Sequence, residues 1–251
     1  LESGLRSFDM EMPEEHNRLA ADDLANLHFV TEDSGLANLN KEGKNSAGIA
    51  FVGNTMIDTL VAFSDQIEQS DVLESTGVSA GKFALVTIHR PSNVDNEEGL
   101  RMLIRILQNL SAKTSIVFPI HPRTLNKLAS FDLDDDLHKI ENLVLTGPLG
   151  YFDFQKLVSS CSFVLTDSGG IQEETTFLQK PCLTLRPNTE RPSTVDIGSN
   201  VLLPFNLEEI SPIIDQVLDG SFKKGAVPPL WDGKATDRIM ARIEQFFNQG
   251  Q

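Results

Sequence analysis

Short apolar runs rich in β-branched residues recur along the chain, each closed by a polar or Gly/Pro-rich turn. They are GIAFV (48–52), FALVTI (83–88), TSIVFPI (114–120), NLVLTG (142–147), SFVLT (162–166), PCLTL (181–185) and NVLLP (200–204). Such runs lack the in–out alternation of a half-exposed strand. They predict strands buried on both faces, hence a parallel sheet covered by helices and an α/β fold. Helical spacing appears between and after them. In 97–110, Leu100, Leu103, Ile104, Leu107 and Leu110 form a stripe, with Asn96 or Asp95 to cap it and Glu97 and Glu98 in its first turn. In 235–247, Ile239, Met240, Ile243, Phe246 and Phe247 form another. Both stripes predict core-facing helices. The acidic stretch DLDDD (132–136) lacks the Gly and terminal Glu of a calcium loop and predicts a solvated loop.

The start of the chain breaks this pattern. LESGLRSFDMEMPEEHNR (1–18) opens on polar and charged residues with no strand before it. A half-apolar, helical stretch follows (17–30), then a Gly/Asn/Lys-rich loop (35–48) that is the candidate domain boundary. Residues 1–49 read as the tail of a domain whose beginning is missing.

Composition narrows the function classes. The 251 residues carry a net charge of −15, and 40% of them are hydrophobic. The chain can build a sizeable core, while nucleic acid and anionic membrane would be repelled unless a local basic patch exists. No run of Lys or Arg supplies one. No apolar segment is long enough to span a bilayer, and the N-terminus lacks a signal-peptide pattern. Cys161 and Cys182 sit in apolar surroundings without a CxxC partner, which predicts buried thiols in a reducing cytosol. No His or Cys spacing offers a metal site.

In parallel α/β sheets, ligands bind beyond the carboxyl ends of the strands. The residues that follow the runs are therefore the candidate rim: His89-Arg90, His121-Pro122, Pro148 with Tyr151-Phe152, Asp167-Ser168-Gly169-Gly170, and Arg186 with Glu190-Arg191. Gly169 and Gly170 would let a backbone approach an anion at a helix start, and Ser168 adds a hydroxyl. Glu173 and Glu174 would point roughly 100° apart on a helix, so only one can face a given ligand atom. Phosphate on the glycines and a ribose diol on a glutamate would suit a nucleotide. Two glutamates merely complementing a helix dipole fit the same residues equally well. The absence of GK[ST] excludes a P-loop.

The motifs ESGLRS (2–7), MPEEHNR (12–18), FVGNTMID (51–58), VTIHRPSN (86–93), PIHP (119–122), TDSGGIQEE (166–174), KPCLTLRPNTERP (180–192) and DGKATDRI (232–239) occur in this order. Taken together, they make the chain resemble the non-hydrolysing UDP-N-acetylglucosamine 2-epimerases. The resemblance implies a GT-B-like architecture, with one complete Rossmann-like domain (50–230), the C-terminal remnant of a first such domain (1–49), and a C-terminal helix (231–251) packing back toward the first. It implies interconversion of UDP-N-acetylglucosamine and UDP-N-acetylmannosamine without a redox cofactor, in a cytoplasmic homodimer. A base removes the proton at sugar C2 as UDP leaves C1, and UDP adds back after protonation on the other face.

Carried over by motif, Ser168, Gly169 and Gly170 would hold the diphosphate and Glu174 the ribose. His89 would assist departure of UDP. Glu2 and Glu14 would transfer the C2 proton, and Arg191 and His121 would counter the phosphate charge. Tyr151 and Phe152 would pack near the uracil. Arg90, with Glu14, would contact a second, regulatory UDP-sugar. Ser193 stands where the family often has Glu, and Ser3 replaces a common Ala. With most of the first domain missing, the chain alone is expected to bind UDP weakly and not to epimerise. The competing readings are a hydrolysing epimerase, a GT-B glycosyltransferase, or a nucleotide-sugar-binding module without catalysis.

Overall fold

The computed structural model describes residues 1–248. Its centre is a six-stranded, fully parallel sheet. The strands are β3 (Phe83–Thr87), β4 (Ser115–Pro119), β5 (Leu143–Thr146), β6 (Phe163–Thr166), β7 (Cys182–Leu185) and β8 (Asn200–Leu203), in the spatial order β5-β4-β3-β6-β7-β8. The chain starts mid-sheet at β3, steps outward to β5, then returns to β6 beside β3. This is the doubly wound Rossmann order, and its direction reverses between β3 and β6.

Both sheet faces are buried, as the unalternated runs require. Along β3, Ala84 and Val86 face one core layer, and Phe83 and Leu85 face the other. The first layer is closed by the Glu97–Ser111 helix, whose Leu100, Leu103, Ile104, Leu107 and Leu110 are all buried. Asn96 caps this helix by accepting from Gly99 N at 2.8 Å.

Several expectations are corrected. Residues 28–30 are not helical. The Pro13–Leu24 helix stops short of them, and His28–Val30 forms β1, paired in parallel with β2 (Ile49–Phe51). The 48–52 run thus belongs to this small second sheet rather than to the large one. Strands of three residues are too short for a period to declare itself. The expected loop at 35–48 contains a helix, Asp33–Lys41, and a 3-10 turn, Ser46–Gly48. Packing overrides its weak helical propensity. Leu39 is wholly buried, and Gly35 lies so close to the Ser3-Gly4 backbone that a Cβ would stand 2.8 Å from Ser3 O. The DLDDD loop holds a one-turn helix, Asp134–His138, anchored by buried Leu137.

The C-terminal helix, Ala235–Asn248, lies on the small sheet. Ile239 and Ile243 pack with Phe29 and Val52. The other stripe members do not join a core: Met240, Phe246 and Phe247 are exposed. Just before this helix, Trp231 is buried and donates from its indole nitrogen to Thr31 O at 2.9 Å. Gly53 adopts φ +89° and touches Leu230 so closely that a Cβ would lie 2.0 Å from its carbonyl oxygen. The segment around Trp231 is thereby clamped to the ends of β1 and β2. Trp231→Ala should cost about 3–5 kcal/mol, measured as a lowered urea midpoint at unchanged slope. A loss below about 1 kcal/mol would show that the clamp contributes little.

Candidate active site

The reversal between β3 and β6 brings two turns together. Register pairs Thr87 with Thr166, and their hydroxyls lie 2.7 Å apart. The next residues, Ile88-His89-Arg90 and Asp167-Ser168-Gly169, therefore meet at the rim. Asp167 is their hub. Its fully buried carboxylate accepts from His89 N (3.1 Å), Arg90 N (2.8 Å) and Asn93 Nδ2 (3.0 Å), and lies 3.2 Å from His89 Nδ1. Burial alone would raise its pKa. The hydrogen bonds from His89, Arg90 and Asn93 outweigh that and hold it below the usual carboxylate range. The carboxylate favours a proton on His89 Nδ1, and Nε2 has no protein partner among the described residues.

The half-exposed His89 ring lies 5.4 Å from that of His121, centroid to centroid. A cavity of about 200 Å³ opens beside them, lined by His89, His121, Leu149, Phe154, Ser168 and Ile171. Tyr151 and Phe152 stand outside this lining. Tyr151 and Phe152 meet edge to face, and Phe152 also packs at a tilt against Phe63, as a partly exposed aromatic cluster. Phe154, in the same helical turn, is the aromatic residue in the cavity. Three aromatics within four residues cannot be assigned to ligand or to packing by spacing alone.

The Ser168-Gly169-Gly170 turn opens the Gly170–Phe177 helix. Gly169 has an ordinary right-handed backbone, φ −73° and ψ −51°. Its missing side chain serves packing instead. A Cβ would lie 3.1 Å from Arg191 Nη1, 3.2 Å from Glu190 Oε1 and 3.7 Å from Arg186 Nη1. At Gly170 a Cβ would meet only Met56, at 3.8 Å. A charged cluster thus rests directly on the turn.

Arg191 is the centre of that cluster. Its Nε lies 2.8 Å from Glu173, its Nη1 bonds Glu190, and its Nη2 lies 3.8 Å from Glu2. Burial lowers its pKa, but these carboxylates raise it further, so it stays charged. Glu190 also pairs with Arg186 at 3.1 Å and Arg18 at 3.6 Å. Burial opposes its ionisation, but Arg191 and Arg186 bring its pKa down to about 2. Glu173 is buried and accepts from Asn54 Nδ2 at 2.7 Å. Burial, against the pull of Arg191, pushes it up to about 7.

Glu173 thus pairs inside the protein, while Glu174 faces another way. Glu174 is 5% exposed, and burial raises its pKa against a hydrogen bond with Gln155. Tyr151 lies near enough that its own pKa is raised by burial and then by Glu174. Glu2 is half-exposed at φ +57°, a left-handed conformation costly for a residue other than glycine. Glu14 is exposed and makes no ion pair among the described residues. Its neighbour Glu15 is buried, accepting from Ser7 N, Ser7 Oγ and Phe8 N and pairing with Arg18. Ser193 hydrogen-bonds buried Glu32, so a glutamate at 193 would set a second carboxylate against the first. Glu32, Asn54 and Asn93 are neighbours of the site that the strand-end pattern does not single out. Asn54 lies in the motif FVGNTMID and Asn93 in VTIHRPSN, three residues after Arg90, but neither motif marks them as partners of Glu173 and Asp167. Among the described residues, no group of three His, Cys, Asp or Glu side chains is placed to hold a metal ion.

A raised folded-state pKa at Glu173 means that its contribution is fully present below its unfolded pKa of about 4.5 and is lost as pH rises through about 7. Relative to Glu173→Gln, the wild type should therefore lose stability between pH 5 and 8, on the order of 1–3 kcal/mol. Parallel pH–stability curves for the two proteins would disprove the assignment.

The UDP-N-acetylglucosamine 2-epimerase family model matches residues 1–244. A UDP-N-acetylglucosamine 2-epimerase of Methanocaldococcus jannaschii is 36% identical over 245 residues, covering 96% of this chain and 66% of that protein. One of Methanococcus maripaludis is 39% identical over 223 residues, covering 87% of this chain and 61% of that protein. The chain therefore spans somewhat under two thirds of the length of these relatives. The crystal structure of the M. jannaschii enzyme in complex with UDP-GlcNAc and UDP superposes with a TM-score of 0.86 at 35% identity, covering 98% of this chain and 68% of that one. The α/β sheet is thus the GT-B-like architecture of such epimerases. By sequence match and by fold, the chain belongs to the UDP-N-acetylglucosamine 2-epimerase family.

Proposed function

We propose that the chain binds UDP and a UDP-N-acetylhexosamine and contributes to epimerisation at sugar C2. The observation that carries this reading is the turn pair at the β3/β6 reversal. There, a carboxylate-oriented histidine faces a Ser-Gly-Gly helix start, with Glu174 one turn in. The diphosphate rests on Ser168, Gly169 and Gly170, where free helix N–H groups and the nearby Arg191 favour an anion. Glu174 accepts from the ribose hydroxyls. The uracil packs in the cavity beside His121 and Phe154, with Tyr151 and Phe152 at its edge.

In the reaction, a carboxylate takes the C2 proton while the C1–O bond breaks and its electron pair leaves with UDP. A C1–C2 double bond remains. Proton return on the opposite face and re-addition of UDP give the epimer. Glu2 and Glu14 are the proposed proton carriers. Glu2 sits at the edge of the Arg191 cluster, where sugar attached to that diphosphate would lie. Glu14 is exposed and free to approach a ligand. His89, held by Asp167, stabilises the charge that builds on the departing UDP. Arg191 and His121 supply positive charge nearby. A regulatory UDP-sugar contact at Arg90 remains part of the proposal. So does a cytoplasmic homodimer, which the free, buried Cys161 and Cys182 suit in a reducing compartment. No described helix is long and apolar enough to cross a membrane.

Calorimetric titration with UDP should show saturable binding that Glu174→Ala weakens at least 10-fold, about 1.4 kcal/mol or more. A folded chain that takes up no UDP overturns the reading. Incubation with UDP-N-acetylglucosamine in D₂O tests the chemistry, on a protein extended to the full length of the relatives, because this chain alone is expected not to epimerise. Deuterium at C2 of a sugar still attached to UDP supports proton exchange by elimination, whereas free N-acetylmannosamine would mark a hydrolysing enzyme. Asp167→Asn should slow that exchange by 10²-fold or more while leaving UDP affinity within a few-fold, because it misorients His89 without touching the glycine turn.

A further inference from the structure

The small sheet and the glycine turn meet at one buried amide. β2 ends at Phe51, and Asn54 then opens the Thr55–Ala62 helix. Asn54 is 1% exposed, and both ends of its side chain are engaged. Its Oδ1 accepts from Met56 N at 2.8 Å and so caps the helix. Its Nδ2 donates to Glu173 Oε1 at 2.7 Å, across 119 residues of sequence. Beside this bond, Met56 is the residue that a Cβ on Gly170 would meet. The start of one helix thus rests on the first turns of the other. Capping alone does not ask for asparagine, since serine or aspartate caps a helix equally well. Only the amide adds a donor beside the capping oxygen, and here the donor reaches a buried carboxylate.

Glu173 depends on that donor. Its other oxygen, Oε2, lies 2.8 Å from Arg191 Nε, as an ion pair off the line of a good hydrogen bond. Asn54 is therefore its one well-aligned donor among the described residues. The charged groups that face Glu173 are Arg191, which favours its ionisation, and Glu2, which opposes it. A buried carboxylate deprived of its donor either takes up a proton or turns away. Arg191 would follow. Its Nη1 bonds Glu190, its Nη2 lies 3.8 Å from Glu2, and a Cβ on Gly169 would stand 3.1 Å from Nη1. With Nε held by Glu173, the guanidinium is pinned from three sides over the turn. Released from Glu173, it would swing toward Glu190 and Glu2, its remaining partners.

We propose that Asn54 is a positioning residue for diphosphate binding: its amide holds Glu173, and Glu173 holds Arg191 over the Ser168-Gly169-Gly170 turn. This role presupposes that the turn seats the diphosphate of UDP. Asn54 itself touches no ligand. It makes the junction between the small sheet and the large one part of the binding machinery.

Asn54→Ser keeps a capping oxygen and removes the donor. The full chain, wild type and variant, is titrated by calorimetry with UDP and separately with inorganic pyrophosphate, near pH 8 and near pH 5. Burial raises Glu173 to about 7, so near pH 8 it is mostly ionised. There Asn54→Ser should weaken binding about 5- to 10-fold. Near pH 5 Glu173 is protonated in both proteins and its ion pair with Arg191 is gone, so the ratio should fall to about 2 or less. The ratio at each pH cancels the titration of the phosphate itself. A residue that served only as a helix cap would give the same ratio at both. Glu173→Gln keeps the shape and drops the charge. It should weaken binding near pH 8 as Asn54→Ser does, and it decides the matter if Asn54→Ser fails to fold. If pyrophosphate binds and UDP does not, the nucleotide reading fails by itself and pyrophosphate decides the role of Asn54. Four results would overturn that role: neither probe bound by a chain with an intact thermal melt, a ratio near one at pH 8, a ratio unchanged between the two pH values, or wild-type affinity in Glu173→Gln near pH 8.

Discussion

The buried carboxylate of Asp167 is the constraint on which the site depends. A carboxylate with no solvent is stable only if its lone pairs are met. Here they are met by the backbone of the His89-Arg90 turn, the Asn93 amide and the His89 ring. Those donors all come from the segment after β3, and the acceptor comes from the segment after β6. A single charge therefore stitches the two turns across the point where the sheet reverses. It fixes the ring orientation of His89 and the path of Arg90, and it leaves the Ser168-Gly170 turn free to start its helix. The Thr87–Thr166 contact one residue earlier sets the register that makes this possible.

Behind the turn, a second network solves a different problem. Arg191, Arg186 and Arg18 are interleaved with Glu190, Glu173, Glu15 and Glu2. Buried ion pairs seldom add much net stability, because desolvation offsets their attraction. Their value lies in geometry. The network joins the N-terminal segment, which holds Glu2, Glu15 and Arg18, to the loop after β7. It presses Arg191 onto the α-carbon of Gly169. Any side chain at 169 would push the guanidinium away from the place where an anion would rest. The glycine that reads in sequence as room for an anion to approach the backbone is, in the fold, a seat for an arginine.

That reversal shows what the sequence could and could not convey. The large sheet was legible because strands buried on both faces have no polar alternation, and each run from 83 to 204 became a strand. The Glu97–Ser111 helix was legible because its stripe is wide and its Asn96 cap is local. Short or context-dependent elements were not. β1 has three residues, and the Asp33–Lys41 helix depends on the contact between Gly35 and the distant Gly4. In the site, His89, Ser168 and Asp167 could be placed on one rim by the rule for strand ends. Glu32 and Asn54 could not, since their partners Ser193 and Glu173 lie far along the chain. The adjacent glutamates were separable in principle by their helical angle. Which one turned inward depended on Arg191 and Asn54.

The overall charge poses the last question, how so acidic a chain can offer a home to anions. A net charge of −15 sets a repelling field at long range, but salt screens it over about 8–10 Å. Inside the rim the balance is local. Arg90, Arg186 and Arg191 converge near the ends of β3 and β7, and one carboxylate among them, Glu190, is shared by more than one cation. Glu190 faces Arg18, Arg186 and Arg191 together, so it neutralises no one of them fully. An arriving dianion would thus meet donors fixed in advance by buried contacts, with little side-chain ordering left to do on binding. The acidic exterior would repel a polyanion that must touch a wide surface more strongly than a small anion that needs only the rim.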